Sequence, residues 1–406
     1  MDINEAMRLK EKGFWKGFCA ALVLALAAGL LWKPVCRIIP WHLLPAAIQM
    51  PRTAKLELIE GYLEKYYVDG VDEELIDEML YTGMLAGVGD RYTYYLTADS
   101  LKQYMENTNG HFDGVGIEVY STQDGEVTIS RVMEGEPAQK AGLEKGDVII
   151  GVDGEDMQGR TLSEVSSKIR GEAGTEVTIT VLRKQTGETL DFVVQRTDVV
   201  MQSVEGRMLE GQIGYIAISG FKENTYESFK QELSDLQAQG MQGLILDLRN
   251  NPGGLVRSVY QIGEELLPAG TMVYTLDKNG NRSDLKCDGD CLDIPLVLLV
   301  NGNSASASEI LSGAVKDMGA GTIIGTQTYG KGLVQRLFAL PDGSGLNITI
   351  QKYYTPNGTS IHGIGIEPDI VLDLPEEYRG MRASEIPAGQ DTQLEKAIEV
   401  MREEIS

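Results

Sequence analysis

Two uninterrupted apolar runs, residues 244–248 (LILDL) and 294–300 (IPLVLLV), constrain this chain more than any other feature. Successive side chains of a strand point to opposite faces, so a strand wetted on one side alternates apolar with polar residues. A strand that is apolar throughout is buried on both faces, as in parallel sheets covered by helices. Neighbouring segments supply the covering: residues 213–218 read as strand and 226–239 as an amphipathic helix. Strands alternating with helices predict an α/β core over about residues 198–375.

The preceding stretch has a different period. Val115, Ile117 and Val119 alternate, then Val127, Ile129 and Val132, then 148–152, with glycine-rich turns between them. Two helical patches interrupt, 137–142 and 162–170, the second with Leu162, Val165 and Ile169 on one face. Residues 110–197 are thus expected to be a separate β-rich domain with two helices. Residues 53–109 read as a helical segment, with Leu56, Ile59, Leu63 and Tyr66 at helical spacing. The aromatic run Tyr92, Tyr94 and Tyr95 that follows Gly89-Asp90 reads as packing rather than chemistry. Residues 376–406 form a tail expected to be helical.

At the other end, residues 17–32 carry no charge and would make about 24 Å of helix, slightly short of a ~30 Å hydrocarbon core. Including Phe14 and Trp15, with Lys16 snorkelling, closes the gap. A signal peptide cleaved at Ala25-Leu26-Ala27 is the alternative, but it would leave a strongly apolar new terminus. A single-pass anchor is therefore expected, joined to the rest by a proline-broken linker so that residues 1–52 form tail, anchor and linker. Arg8, Lys10, Lys12 and Lys16 before the span, against Lys33, Arg37 and Arg52 after it, place the bulk of the chain outside the cytoplasm. A net charge of −24 argues against nucleic acid as a partner. Cys19 and Cys36 go with the anchor. Cys287 and Cys291 share one loop, where a small disulfide and two plain surface thiols are equally consistent with the spacing. Their ligand set is too small for zinc.

Both apolar runs end in polar turns. Asp247-Leu248-Arg249-Asn250-Asn251-Pro252-Gly253-Gly254 follows the first, and Asn301-Gly302-Asn303-Ser304-Ala305-Ser306-Ala307-Ser308-Glu309 the second. Ligands of open α/β sheets bind at the carboxyl ends of strands. The second turn leads into a helical pattern, so a serine there stands at a helix N-terminus whose outward N–H groups could hold a developing oxyanion. Plain helix capping by Ser304 to Ser308 competes with that reading. A serine nucleophile needs a base, and the chain has only 3 histidines, His42, His111 and His362. Lysine serves when burial lowers its pKa enough for the neutral amine to accept a proton. Lys331, within Thr328-Tyr329-Gly330-Lys331-Gly332-Leu333-Val334-Gln335, is the candidate; the competing reading is an exposed turn lysine. A phosphate loop is discounted because the full G-x-x-x-x-G-K-[ST] pattern is absent.

Taken together, these blocks resemble the signature segments of the carboxy-terminal processing (tail-specific) peptidases, in that family's order, with Lys331 placed 25 positions after Ser306. The resemblance implies Ser306 as nucleophile, Lys331 as general base and Gln335 as the residue orienting it. Four residues are one helical turn, so Lys331 and Gln335 would share a face if the segment were helical. Oxyanion donors map to the Ala307 amide and the Gly253-Gly254 turn, with either glycine eligible. Residues 136–154 (Glu136-Pro137-Ala138 to Gly154) are similar to a PDZ domain of the bacterial protease type, with Gly114-Val115-Gly116-Ile117 as its carboxylate-binding loop and Leu162, Val165 and Ile169 along its groove. Glycines there expose successive N–H groups to a peptide carboxylate. Arg91, Thr93 and the Cys287–Cys291 loop depart from the pattern and read as remote from the catalytic set.

The implied protein is multidomain α+β: a transmembrane helix, a small helical segment, a PDZ domain and an α/β peptidase core. Its implied activity is that of a membrane-anchored serine endopeptidase with no cofactor and no metal, acting on proteins or peptides with free C-termini, and open to homo-oligomer formation. Two rivals stand beside it. An inactive PDZ scaffold is disfavoured by the intact Ser306, Lys331 and Gln335, and a small-molecule esterase or amidase by the peptide groove.

Overall fold

The computed structural model describes residues 50–387 and 389–406, so the expected membrane span, Cys19 and Cys36 lie outside the described residues. Among the described residues no helix is long and apolar enough to cross a membrane. The chain divides into two units, residues 1–77 and 78–406. Helix α1 (Arg52–Tyr66) buries none of its side chains, and Leu58, Ile59 and Tyr62 stand exposed. Helix α2 (Glu73–Ala86) spans residue 77. The aromatic run beyond it lies in the stretch expected to be helical, but is not helix. It forms strand β1 (Tyr94–Leu96), which pairs antiparallel with residues 345–347. Helix α3 (Ala98–Asn109) starts where Thr97 Oγ1 accepts from Ser100 N and ends at Gly110 with φ +78°.

The β-rich domain follows as β2 (His111–Gly114), β3 (Ile117–Ser121), β4 (Val127–Val132), α4 (Pro137–Ala141), β5 (Asp147–Val152), β6 (Glu155–Asp156), α5 (Leu162–Ile169), β7 (Glu176–Arg183), β8 (Glu188–Gln195) and β9 (Thr197–Val200). Its sheet runs β3-β4-β5-β7-β8, leaving β3 at an edge, while β2 and β9 pair at the domain's entry and exit. Alternate residues of these strands (Val127, Ile129, Val177, Ile179, Val181) meet Val165 and Ile169 of α5 in one apolar cluster. Helix α5 begins with a reciprocal cap: Glu164 N donates to Thr161 Oγ1, and Thr161 N donates to the Glu164 carboxylate.

The α/β core comprises β10 (Val204–Leu209), β11 (Ile213–Ile218), α6 (Thr225–Ala238), β12 (Gly243–Asp247), α7 (Val256–Leu266), β13 (Gly270–Asp277), β14 (Arg282–Cys287), β15 (Leu296–Val300), α8 (Ala307–Met318), β16 (Thr322–Gly325), β17 (Leu333–Ala339), β18 (Gly345–Tyr354), β19 (Ile370–Val371) and α9 (Thr392–Ile405). The main sheet runs β10-β11-β12-β15-β16-β19, parallel except for β10. Both apolar runs, β12 and β15, are wholly buried neighbours at its centre. Their alternate residues serve two cores. Leu244, Leu246, Leu296 and Leu298 pack with Phe229 of α6, Val259 of α7 and Leu311 of α8. Ile245, Val297 and Leu299 pack with Ala397 and Met401 of the C-terminal helix α9. Burial on both faces removes the alternation a half-wetted strand would show. A second sheet, β1-β18-β13-β14 with β17 on β18, stands beside the first. Cys287 and Cys291 are free thiols, and burial pushes the Cys287 thiol up to about 12.

Candidate active site

Because β12 and β15 are adjacent and parallel, their turns emerge at the same sheet end and interlock. Ala305 N and Ser308 Oγ both donate to Asn251 O at 3.0 Å, and Ser304 Oγ donates to Leu248 O at 2.7 Å. Asn250 N donates to Asn301 Oδ1, and Asn301 Nδ2 returns a bond to Asn250 Oδ1, each at 2.9 Å. Ser304 and Ser308 are therefore buried structural hydroxyls. Ser306 is the half-buried member of a stretch whose other residues, from Ser304 to Ile310, are buried. It holds φ +54° and ψ −111°, a backbone state that a non-glycine residue keeps only when its surroundings impose it. Those surroundings present its side chain at the N-terminus of α8.

Glu309, fully buried, supplies the constraint. Its Oε2 accepts from Ser306 N at 2.9 Å and Lys331 N at 2.8 Å, and its Oε1 accepts from Gly330 N at 2.7 Å and Thr328 Oγ1 at 2.6 Å. One carboxylate thus ties the serine turn to the lysine loop. Sequence reasoning placed Glu309 in a motif and gave it no task, because its donors other than Ser306 N lie about twenty positions downstream.

Lys331 is half-buried. Burial pulls its ammonium below the usual lysine range, Arg91 adds to that, and Asp90 and Glu309 oppose it. Its Nζ lies 4.7 Å from the centroid of the Tyr92 ring, and among the described residues it makes no hydrogen bond to Ser306 Oγ. Gly332 lies tight on the His362 backbone, 2.5 Å from where a Cβ would stand, so the flanking glycines do admit the loop to a crowded place. The buried Tyr353 phenol donates to Lys331 O and also reaches the Ser306 side chain. The helical relation expected between Lys331 and Gln335 is corrected. Lys331 sits in a loop and Gln335 on β17, beside a bulge, because pairing with β18 takes the backbone from residue 333. Gln335 Nε2 donates to Thr349 Oγ1 at 3.4 Å. Arg91, expected to be remote from the site, is beside it, as is Tyr92, expected to serve packing.

At the first turn, Gly253 N donates to Asn251 Oδ1 at 2.9 Å, whereas the N–H groups of Gly254 and Ala307 find no acceptor among the described residues. A Cβ on Gly253 would lie 2.7 Å from Ser306 Cβ and 2.9 Å from Ala307 N, so this turn lies against the Ser306 turn. Gly254 has φ +142°, and a Cβ there would stand 2.1 Å from Phe221 O. The turn is anchored from below by a buried network that the sequence did not disclose. Arg249 Nη2 donates to Asp247 Oδ2 at 2.6 Å and Asp391 Oδ2 at 2.8 Å, and Tyr215 Oη donates to Asp247 Oδ2 at 2.7 Å. Asp391 also caps α9 by accepting from Leu394 N, so the C-terminal helix helps to fix the turn.

In the β-rich domain, Val115 O accepts from Ala138 N and Gly116 O from Met133 N, while the N–H groups of Val115 and Gly116 find no acceptor among the described residues. A cavity of about 870 Å³ opens beside them, lined by Gly114, Val115, Ile117, Leu162 and Ile169 and, across from these, by core residues including Ser203 and Lys222. Val165, expected in the groove, is fully buried in the domain's own core, and Gly116 lies outside the cavity wall.

A serine held at a strained strand-to-helix turn beside a half-buried lysine, with a peptide-groove domain on the same chain, defines a hydrolase of the serine type. Residues 212–372 match peptidase family S41, and residues 128–183 match a PDZ domain. The carboxy-terminal-processing protease of Bartonella bacilliformis is 39% identical over 334 residues, covering 80% of this chain and 76% of that protein. The carboxyl-terminal-processing protease of a Synechocystis species is 36% identical over 324 residues, covering 78% and 75%. A crystal structure of an S41 protease from Bacteroides fragilis aligns over 90% of this chain and 94% of that one at 17% identity and a TM-score of 0.50, a likeness of fold alone. The chain belongs to the carboxy-terminal processing proteases of peptidase family S41. It is a serine-type peptidase acting on protein substrates and carrying a PDZ domain.

Proposed function

We propose that Ser306 and Lys331 form the catalytic dyad. Neutral Lys331 takes the Ser306 Oγ proton as Oγ attacks the scissile carbonyl, and returns it to the leaving amine; a water then repeats the cycle on the acyl-enzyme. The observation that carries this reading is the Glu309 carboxylate, which binds both residues' backbone N–H groups and so sets serine and lysine in one frame. Swinging the Lys331 side chain from the Tyr92 ring to Ser306 Oγ completes the dyad. Ala307 N and Gly254 N serve as the oxyanion donors, because Gly253 N is already committed to Asn251. Gln335 keeps the orienting role through Thr349, whose N–H donates to Thr93 Oγ1 on the segment that carries Tyr92.

The PDZ loop reads the free C-terminus of the substrate through its unpaired N–H groups, with the tail adding a strand to the β3 edge. Residues 17–32 anchor the chain in the cell membrane, with the catalytic part outside the cytoplasm. Incubating the enzyme with unstructured proteins and mapping the cuts by mass spectrometry tests the activity, with Ser306→Ala as the blank. Cuts near C-termini that vanish in that variant support the reading; persistent cuts refute it. Protease shaving of intact cells that fails to release the soluble part refutes the topology.

A further inference from the structure

Two cations share one aromatic ring at this site. The Arg91 guanidinium carbon lies 4.8 Å from the Tyr92 ring centroid and Lys331 Nζ lies 4.7 Å from it. Arg91 is held there by both neighbouring phenols: Nη2 donates to Tyr92 Oη at 2.6 Å and to Tyr329 Oη, and the guanidinium also lies 5.4 Å from the Tyr329 centroid. No carboxylate pairs with Arg91 among the described residues. The segment bearing Arg91 and Tyr92 is itself pinned. Asp90 Oδ1 accepts from Tyr92 N, Asp90 Oδ2 accepts from Thr93 Oγ1, Asn347 Nδ2 donates to Tyr92 O, and Thr349 N donates to Thr93 Oγ1. The ring is therefore a fixed seat rather than a loose surface tyrosine.

We propose that Tyr92 and Arg91 are positioning residues for the catalytic lysine: the Tyr92 ring seats the Lys331 ammonium, and Arg91 on the same ring repels it toward the neutral amine that can accept a proton. This rests on Lys331 being the base. The ring's attraction is for the cation, so it holds the protonated side chain and frees the neutral amine to swing to Ser306 Oγ, while the second charge limits how strongly the protonated form is held. Arg91 cannot lose its own proton, so its repulsion is present at every working pH. The charged and titratable groups around Lys331 are Asp90, Arg91 and Tyr92 from the segment before β1, Glu309 from α8, Tyr329 from the same loop, Tyr353 from β18, and His362 from the loop against Gly332. Asp90 and Glu309 favour the ammonium while burial and Arg91 oppose it, so removing Arg91 leaves burial alone against the two acids.

The two distances to the ring put the cations no more than about 9.5 Å apart. A unit charge at that range shifts a titration by about 0.3 pH units in a water-like medium and about 1.3 in one of effective dielectric near 20. The test uses the full-length chain and two readouts. Acetylation of Lys331 by dilute acetic anhydride, followed by mass spectrometry across pH, reports the amine itself, and kcat/KM on unstructured casein across pH reports catalysis. In Arg91→Gln the labelling midpoint should rise by about 0.3–1.3 units. The acid limb of kcat/KM should rise with it, a two- to twentyfold loss at a fixed pH on that limb. Arg91→Lys should restore both, and Tyr92→Phe, which keeps the ring, should retain the high-pH plateau that Tyr92→Leu lowers. An unmoved labelling midpoint in Arg91→Gln overturns the proposal. A midpoint that moves while the acid limb stays put upholds the coupling and overturns instead the assignment of Lys331 as the base.

Discussion

Replacing Glu309 by glutamine tests the frame on which the whole site stands. The carboxylate accepts four hydrogen bonds in a fully buried position, and an amide of the same shape offers one oxygen and one NH2 group. The least damaging rotamer points the NH2 at Thr328, whose hydroxyl can turn to accept. Gly330 N–H then faces a donor and is left unpaired, at about 1–3 kcal/mol, and the two bonds from Ser306 N and Lys331 N lose their charge assistance, at about 1 kcal/mol each. The sum, about 3–5 kcal/mol, is a large part of the 5–15 kcal/mol that holds a typical domain. Thermal unfolding should fall by about 10 °C or more. Turnover should fall further than stability accounts for, by about a hundredfold or more even at temperatures where the variant is folded, because Ser306 and Lys331 lose their common anchor and a shift near 1 Å at a reacting group costs that much. Scanning calorimetry and kcat measured on one preparation decide it. A Glu309→Gln enzyme that melts with the parent and turns over at the parental rate would refute the idea that this carboxylate sets the dyad.

Ser306→Ala and Lys331→Ala should each abolish proteolysis of casein, and the double variant should match either single one, since the two act as a unit. Ser304→Ala, which removes a hydroxyl that donates to Leu248 O and accepts from Asn301 N, and Ser308→Ala, which removes the bond to Asn251 O, should keep measurable turnover at a stability loss of about 1–3 kcal/mol by denaturant titration. Amidating the C-terminus of one unfolded substrate should lower its kcat/KM ten- to a hundredfold, the worth of a charge-assisted bond of about 1.5–3 kcal/mol; equal rates would mean that the PDZ loop does not read the carboxylate. Gly116→Val should do similar harm to that substrate, since φ there is +81° and a Cβ would lie 2.3 Å from Glu136 Cβ, while cleavage of a short chromogenic peptide stays near parental.

What could be read from the sequence divides along a physical line. Residues 244–248 and 294–300 announced themselves because burial on both faces leaves no polar positions, and β12 and β15 are so buried. The period-two runs of the PDZ domain were legible for the opposite reason, one face being wet. Ser306 and Lys331 were proposed through their motifs, and the structure adds why Ser306 differs from its neighbours, since Ser304 and Ser308 spend their hydroxyls on backbone carbonyls. Gln335 shows where spacing misleads. A separation of four is one helical turn only in a helix, and whether residues 333–339 become helix or strand is decided by β18, which the local sequence does not contain. Tyr94–Leu96 failed in the same way, its strand character being conferred by residues 345–347.

The residues missed altogether share one property: each acts through a partner far away in the chain. Glu309 collects donors from the Lys331 loop, Arg249 is held by Asp391, and Tyr92 meets Lys331. None of these pairings has a local signature, because hydrogen bonds and ring contacts are made at closure of the fold rather than along a helix or strand. The consequence bears on catalysis. The serine turn alone could place a serine at a helix end, but the carboxylate that also binds Gly330 and Lys331 ties that serine to the lysine loop. The first turn gains its rigidity from the far side of the sheet, through Arg249, Asp391 and the cap of α9. A site assembled from four separate segments in this way stays in register only when all of them are docked. Damage at Asp391, remote in sequence from both Ser306 and Lys331, should therefore reach the Gly253-Gly254 turn directly through Arg249, whose guanidinium would be left buried with half of its charge partners removed.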